Sequence, residues 1–250
     1  MKVLMISTDW RIAVIGSKEH SRMKSYSSVT EELHVIVFSL QDQELIASNS
    51  DKLYVYPTNS KHKWQYGLGA YFIAKKLKKR GITLVTAQDP FETGFIGYKI
   101  SKSLVAPLQV QLHTDFASIY YSHLSFKNRL RVIIADFIIP RADCVRVVSK
   151  RLSRDLVLRY ELKKEPTVLP IHLEIPISML SERRDLLHAK FPKFGTIALM
   201  VCRIEPEKNI GMALQAIAKV LPVYPGLGLV IVGDGSDRAI LEKKAKQLGI

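Results

Sequence analysis

Residues 195–221, GTIALMVCRIEPEKNIGMALQAIAKVL, carry the pattern that decides the fold. The first eight residues form an apolar run typical of a buried strand, and a polar turn from Arg203 to Lys208 follows it. Apolar residues then recur at positions 210, 214, 217 and 221, which predicts an amphipathic helix beginning near Asn209. The stretch therefore predicts a strand, a turn and a helix, the repeating unit of an α/β fold.

The turn places two cations, Arg203 and Lys208, beside a helix N-terminus. Such a terminus carries unpaired N–H groups and a partial positive charge, which disfavours a nearby cation by about 0.3–1 kcal/mol. A bound anion would reverse the sign of that interaction. Two interpretations are open: an anion site, or a simple connection in which Glu205 and Glu207 neutralise both cations.

The strand and helix order recurs along the chain. Strand-like runs at 2–7, 33–38, 53–56, 82–87, 108–112 and 144–148 alternate with helical stretches, which predicts a parallel sheet covered by helices on both faces. A proline-bounded run at 170–176 and a polar helix near 178–189 precede two further strands at 195–202 and 227–232. Two such units are too few for a covered sheet, so we expect either a fragment or completion by another polypeptide.

Composition narrows the class of protein. With 47% hydrophobic and 24% charged residues the chain is globular, and its net charge of +14 suits nucleic acid, anionic lipid or phosphorylated small molecules. No basic and aromatic motif of a nucleic-acid reader is present, so no nucleic acid is expected. Cys144 and Cys202 lie in apolar runs without disulfide or metal-ligand spacing, which favours a reducing cytoplasm and no metal. We find neither a signal peptide nor a membrane-spanning run.

Four further candidate residues, in three loops, follow predicted strands. His113 ends the strand at 108–112, where open α/β sheets bind ligands, although a lone histidine is also commonly structural. Gly16 is the single glycine after the first strand and fits either a phosphate loop or a plain turn. Gly233 and Gly235 permit close backbone approach, or simply a short connection.

The segment from Trp64 to Arg80 predicts a basic amphipathic helix. Tyr71, Ala74 and Leu77, with Leu68, are expected on its apolar face, and lysines lie beyond it. Its clustered aromatic residues fit an anionic membrane surface, whereas a charge run alone more often marks a solvated face.

Four segments resemble the family 4 glycosyltransferases. Residues 201–209, VCRIEPEKN, resemble the family's "GRL…EKG" segment, and residues 229–236, LVIVGDGS, are similar to its "LVIVGDGP". Residues 142–149, ADCVRVVS, resemble its "ADxVxxVS" strand, and residues 110–113, VQLH, resemble the strand that ends in its active-site histidine. The resemblance implies the GT-B fold, in which two Rossmann-like domains face a cleft. Here 1–165 would be the acceptor-side domain and 166–250 the first part of the nucleotide-sugar donor domain.

The resemblance also implies roles for the candidates. Arg203 and Lys208 match the pair that grips the diphosphate of a nucleotide-sugar donor, and His113 matches the histidine that approaches the transferred sugar. Gly233 and Gly235 fall near the nucleotide base, and Gly16 near the diphosphate. A retaining transfer to a glycan or lipid-linked acceptor would follow, without a metal cofactor, by a cytoplasmic protein that can lie on the inner membrane face through the segment from Trp64 to Arg80.

Three features depart from the family pattern. The glycine-rich loop is reduced to Gly16, and the linker reads LPIHLE at 169–174 in place of a "PNGVD"-like run. The family's pair of glutamates eight positions apart would lie beyond Ile250. We therefore expect a donor domain truncated in the given chain. The alternative is a non-catalytic fragment, or a subunit of a split transferase whose partner supplies those carboxylates.

Overall fold

The structure is a computed structural model that describes residues 1–116, 118–123, 125–162, 164–171 and 186–250. Its residues group into two units, Met1–Ile171 and His172–Ile250, each with a hydrophobic core of its own. The predicted linker at 170–176 and the polar helix near 178–189 lie largely outside the described residues.

The described part of the first unit contains one eight-stranded sheet. Its strands are β1 (Lys2–Ser7), β2 (Glu32–Val37), β3 (Ser48–Ser50), β4 (Leu53–Pro57), β5 (Leu84–Ala87), β6 (Leu108–Leu112), β7 (Cys144–Val147) and β8 (Thr167–Val168). They lie in the order β3-β4-β2-β1-β5-β6-β7-β8, and all neighbours are parallel except β3 and β4. The predicted parallel sheet is confirmed. The short polar strand β3 was not predicted.

Helices cover both faces of this sheet. They are α1 (Lys18–Ser28), α2 (Tyr66–Lys76), α3 (Glu92–Leu104), α4 (Ile119–His123), α5 (Phe126–Ile138) and α6 (Lys150–Tyr160). On one face, Met23 of α1 packs among residues of β1, β2 and β4. On the other, α2, α3, α5 and α6 contribute Ala74, Ile100, Ile138 and Leu156 to the larger core. Their burial supplies most of the driving force for the layered arrangement.

Local chemistry fixes where the helices start and stop. The Ser149 side chain accepts a hydrogen bond from the Leu152 N–H at 3.2 Å, so it caps the N-terminus of α6. The turn that follows α2 ends at Gly81, whose φ of 72° lies in the left-handed region that glycine adopts without strain. Capping serines and a closing glycine therefore set these boundaries.

The described part of the second unit repeats the strand and helix alternation. Its elements are α7 (Leu186–Lys190), β9 (Thr196–Val201), α8 (Ile210–Val220), β10 (Leu227–Val232) and α9 (Arg238–Gln247). β9 and β10 pair in parallel, and Ile210 and Leu214 of α8 are buried against them. The strand and helix predicted from residues 195–221 are thus confirmed.

Three expectations about packing are wrong. β9 was predicted to be buried, yet Leu199 and Val201 are exposed, because the described helices of this unit pack against only one face of the strand pair. Cys144 is exposed rather than buried in its strand. Leu68 points to solvent, since α2 turns Ala70 and Ala74 toward the core instead.

None of the helices that the structure describes is suited to crossing a bilayer. The longest, α3 and α5, have 13 residues each, whereas a membrane span needs about 20 apolar residues.

Candidate functional site

Two loops meet at the carboxyl edge of the strand pair in the second unit. Val201 of β9 pairs with Val232 of β10, so both strands end at the same level. The loop after β9 carries Arg203 and Lys208, and the loop after β10 carries Gly233 and Gly235. The structure therefore brings these four predicted residues to one edge, where ligands bind in open α/β sheets.

Hydrogen bonds tie the two loops to each other. The Ile204 N–H donates to the Asp234 carbonyl oxygen at 2.9 Å, and the Ile204 carbonyl oxygen accepts from the Asp237 N–H at 3.1 Å. The Glu205 carboxylate also accepts from the Ser236 hydroxyl at 2.9 Å. These bonds limit the freedom of the loop that carries the cations, so its geometry is largely formed in advance.

Both glycines lie against the neighbouring loop. A Cβ atom on Gly233 would overlap the Cys202 carbonyl oxygen, and one on Gly235 would overlap the Ile204 carbonyl oxygen. Gly233 also has a φ of 152°, at the edge of the range that side chains rarely adopt. Close backbone approach is thus the reason for glycine here. Their predicted contact with a nucleotide stays a prediction.

The two cations differ in their surroundings. Arg203 is exposed, and its Nη2 lies 2.5 Å from the Glu207 carboxylate. Lys208 ends a 3-10 turn, and within the described residues its side chain makes no ion pair or hydrogen bond. Glu205 bonds to Ser236 rather than to Lys208. Glutamate pairing therefore accounts for only one of the two cations.

The helix that follows begins without a side-chain cap. Asn209 is the N-cap residue of α8, but it adopts a left-handed conformation with φ of 46° and its side chain caps no N–H group. Lys208 directly precedes this N-terminus, where the helix dipole disfavours a cation. An anion bound there would interact favourably with both the dipole and the lysine.

In the first unit, His113 follows β6 at the carboxyl edge of the large sheet, and it is exposed. Partial removal from water lowers the pKa of His113, and the positive charges of Arg146 and Arg22 lower that pKa further. The imidazole is therefore neutral at neutral pH, so it can donate one hydrogen bond and accept another.

A chain of polar side chains crosses the sheet beside His113. Arg146 donates to Gln111 at 2.9 Å, Gln111 donates to Thr86 at 3.0 Å, and Thr86 donates to Gln109 at 3.0 Å. The sequence prediction missed Arg146, although it is the polar residue of the strand CVRV and faces Gln111 across the ladder. This series of hydrogen bonds holds Arg146 in a position where its positive charge acts on His113.

Gly16 lies in the loop after β1, also at the carboxyl edge of the large sheet. Its φ is 88°, and a Cβ atom there would contact nothing within 4 Å. The next residue, Ser17, caps α1 by accepting from the His20 N–H at 2.9 Å. The turn's conformation alone therefore explains this glycine, and its predicted contact with a diphosphate stays a prediction.

The described ranges contain no group of three or more histidine, cysteine, aspartate or glutamate side chains placed to hold a metal ion.

The segment from Trp64 to Arg80 forms a 3-10 turn, α2 and a second 3-10 turn. Trp64, Leu68 and Phe72, spaced by four residues, are each more than half exposed. Tyr66 instead stacks on Phe38 with ring centroids 5.3 Å apart.

Comparison with known proteins gives two family matches. Residues 30–171 match the sequence profile of Glycosyltransferase Family 4, and residues 184–250 match that of Glycosyl transferases group 1.

Two relatives named alpha-monoglucosyldiacylglycerol synthase are similar to this chain over 185 residues each. The protein from Acholeplasma laidlawii is 25% identical, and the match covers 68% of this chain and 46% of the relative. The protein from Streptococcus pneumoniae (strain ATCC BAA-255 / R6) is 28% identical, and the match covers 69% of this chain and 41% of the relative. The chain thus spans less than half the length of the curated relatives it matches.

Solved structures share the fold. The crystal structure of a UDP-forming alpha,alpha-trehalose-phosphate synthase from Burkholderia xenovorans matches with a TM-score of 0.60 and 12% identity, covering 99% of this chain and 70% of that one. The likeness shows the GT-B fold, so the predicted α/β class with Rossmann-like units is confirmed. Because the sequence profile of Glycosyltransferase Family 4 matches more than half of its residues, the chain belongs to that family.

Proposed function

We propose that the protein transfers a sugar from a nucleotide-diphosphate sugar to a glycan or lipid-linked acceptor, with retention of anomeric configuration. Membership of Glycosyltransferase Family 4 supports the reaction class. The observation that carries the donor site is the pair of tied loops after β9 and β10, which hold an exposed Arg203 and an unpaired Lys208 at an uncapped helix start.

The cations fit the charge that develops during transfer. As the bond between sugar and diphosphate breaks, negative charge builds on the leaving phosphate oxygens. Fixed arginine and lysine side chains stabilise this charge through short charge-assisted hydrogen bonds. The diphosphate competes with Glu207 for Arg203 and gives Lys208 its partner. The proposal includes no metal cofactor, because the two side chains supply the countercharge.

His113 approaches the transferred sugar in this proposal. Its lowered pKa keeps the ring uncharged, which suits a hydrogen bond to a sugar hydroxyl and avoids a fixed positive charge beside the forming oxocarbenium-like centre. Gly16 follows β1 at the same edge of the sheet, and we include a contact between its loop and the donor diphosphate in the proposal.

A lipid-linked acceptor is the form of the proposal that the relatives favour, since both are named for making a glucosyldiacylglycerol. Such an acceptor lies in a membrane, and the exposed Trp64, Leu68 and Phe72 beside lysines suit an anionic membrane surface. We place the protein in the cytoplasm, attached peripherally to the inner membrane face. Nucleic acid is not among the proposed partners.

Calorimetric titration tests the donor class. UDP, GDP and ADP are each compared with the matching nucleoside, and one diphosphate is expected to bind at least about tenfold more tightly than its nucleoside. Equal affinities throughout, or no binding of any diphosphate, would overturn the proposal. Retention is tested by NMR of the product, which should carry an α linkage when the donor is α-linked.

A further inference from the structure

A stripe of apolar side chains runs along the outer face of α5. Phe126, Leu130, Ile133 and Phe137 follow one another at intervals of four, three and four residues, which places them on one side of a helix. They are 81, 50, 64 and 42% exposed, respectively. The opposite side of α5 buries Ala135 and Ile138 in the core. Helix α5 is therefore apolar on both sides, and only one of them is covered within the described residues.

Positive charge surrounds this stripe. Lys127 and Arg129 lie on α5 itself, and Arg141 follows the helix with its guanidinium 3.9 Å from the centre of the Phe137 ring. The single acidic residue of α5, Asp136, is engaged by Arg159 at 2.9 Å and by the Tyr160 hydroxyl at 2.5 Å. Lys127 and Arg131 pair with Glu92 of α3 at 3.8 and 2.9 Å. Within the described residues, the charges beside the stripe that no carboxylate pairs are those of Arg129 and Arg141, and both are positive.

The neighbouring helix α3 also carries lysine side chains next to aromatic rings. α3 packs against both α2 and α5, and all three bury residues in one core, so they form a single layer over one face of the sheet. Lys99 and Lys102 of α3 lie over the rings of Phe95 and Tyr98 at 5.6 and 5.5 Å. Helices in such a layer are about 8–10 Å apart, so α5 lies roughly 16–20 Å from α2.

We propose that the α5 stripe is a second contact with an anionic lipid bilayer, separate from the segment between Trp64 and Arg80; the assignment rests on the membrane attachment proposed above. Charge decides the occupant. In a dimer of two copies through this stripe, Arg129 and Arg141 of one copy would face the same cations of the other, whereas anionic headgroups complement them. Lysine and arginine stems cover apolar surface while their charges reach the headgroups. Two contacts on separate helices fix the orientation of the unit on the membrane, which a single helix leaves free to rotate.

Vesicle co-sedimentation of the full chain tests the inference. The vesicles contain phosphatidylcholine alone, or phosphatidylcholine and phosphatidylglycerol in equal amounts. The variant Leu130→Gln, Ile133→Gln is compared with the control Val29→Gln, Ile46→Gln, which also removes two exposed apolar side chains but at positions outside the helix layer. The α5 variant is expected to bind anionic vesicles about tenfold more weakly than the wild type, and the control about equally.

Other outcomes would overturn the inference. These are binding of the α5 variant equal to that of the wild type, no preference for anionic vesicles, or a wild-type dimer in sedimentation velocity that the α5 substitutions dissociate. Thermal unfolding confirms that each variant is folded. The variant Trp64→Gln, Phe72→Gln separates the two contacts, because loss of binding in it alone would leave membrane attachment standing and remove α5 from it. UDP titration of the same variants reports the donor site independently.

Discussion

The backbone of Gly235 lies against the carbonyl group of Ile204, so close that no side chain can occupy position 235 without moving one of the two loops. The same Ile204 carbonyl oxygen accepts the Asp237 N–H at 3.1 Å. The loop after β10 thus helps to fix the conformation of the loop that carries Arg203 and Lys208. A change in the loop after β10 is therefore expected to move these two cations.

Replacing Gly235 with alanine tests this coupling. The added Cβ forces the loops apart, so we expect a loss of about 1–3 kcal/mol in the free energy of unfolding, measured in urea, together with weaker binding of a nucleoside diphosphate. Gly195→Ala is the matched control, because a Cβ at that position meets only the Gly226 carbonyl oxygen at 4.0 Å. Equal stability of the two variants would contradict a tight fit between the loops.

The charge state of His113 gives a second prediction. Partial removal from water, Arg146 and Arg22 all lower the pKa of this imidazole, so removing either cation should raise it. Arg22→Gln is the cleaner variant, since Arg146 also bonds to Gln111. NMR titration of labelled histidine measures the change, and Arg129→Gln on α5 is the control. A His113 pKa unmoved by both Arg22→Gln and Arg146→Gln would show that those charges do not act on the ring.

Stability should depend on pH through His34. This histidine is fully buried, stacked on Tyr54 with ring centroids 4.7 Å apart and bonded to Glu32 at 2.8 Å. Burial lowers the His34 pKa below its ordinary value of 6.5, even though the Glu32 carboxylate acts in the opposite direction. The unfolded chain then binds the proton more readily than the folded one.

The folded state is consequently favoured above pH 6.5 and loses stability as the pH falls from there toward the folded-state pKa. Urea unfolding at a series of pH values measures how steeply the free energy of unfolding changes with pH. His34→Phe preserves the ring stack, and Lys2 still pairs with Glu32 at 2.9 Å, so the variant should show a shallower slope. An identical slope in both proteins would rule out His34 as its source.

The sequence predicted the strand and helix order because periodicity reports directly on which face of each element is buried. The sequence-based prediction failed where the burial of a residue depends on elements that are distant from it in sequence. Leu199 and Val201 read as core residues, yet their face of the strand pair carries none of the described helices. Strand β3, with the sequence SNS, has no apolar signal and exists through its pairing with β4.

In the candidate site, too, residues in local motifs were predicted, and a residue that acts through contacts between strands was missed. Arg203, Lys208 and the two glycines were predicted from local motifs and do meet at one edge. Arg146 was missed because its relation to His113 runs through Gln111 on a neighbouring strand, 35 residues away in sequence. Such cross-strand contacts have no local sequence signature.

The central claim is that Arg203 and Lys208 hold the diphosphate of a sugar donor. Isothermal titration of the preferred nucleoside diphosphate into Lys208→Ala, and into the double variant with Arg203→Ala, tests it most directly, with Lys219→Ala at the far end of α8 as the control. We expect the single variant to bind about tenfold more weakly, the double variant weaker still, and the control like the wild type. Unchanged affinity in the double variant would contradict the assignment.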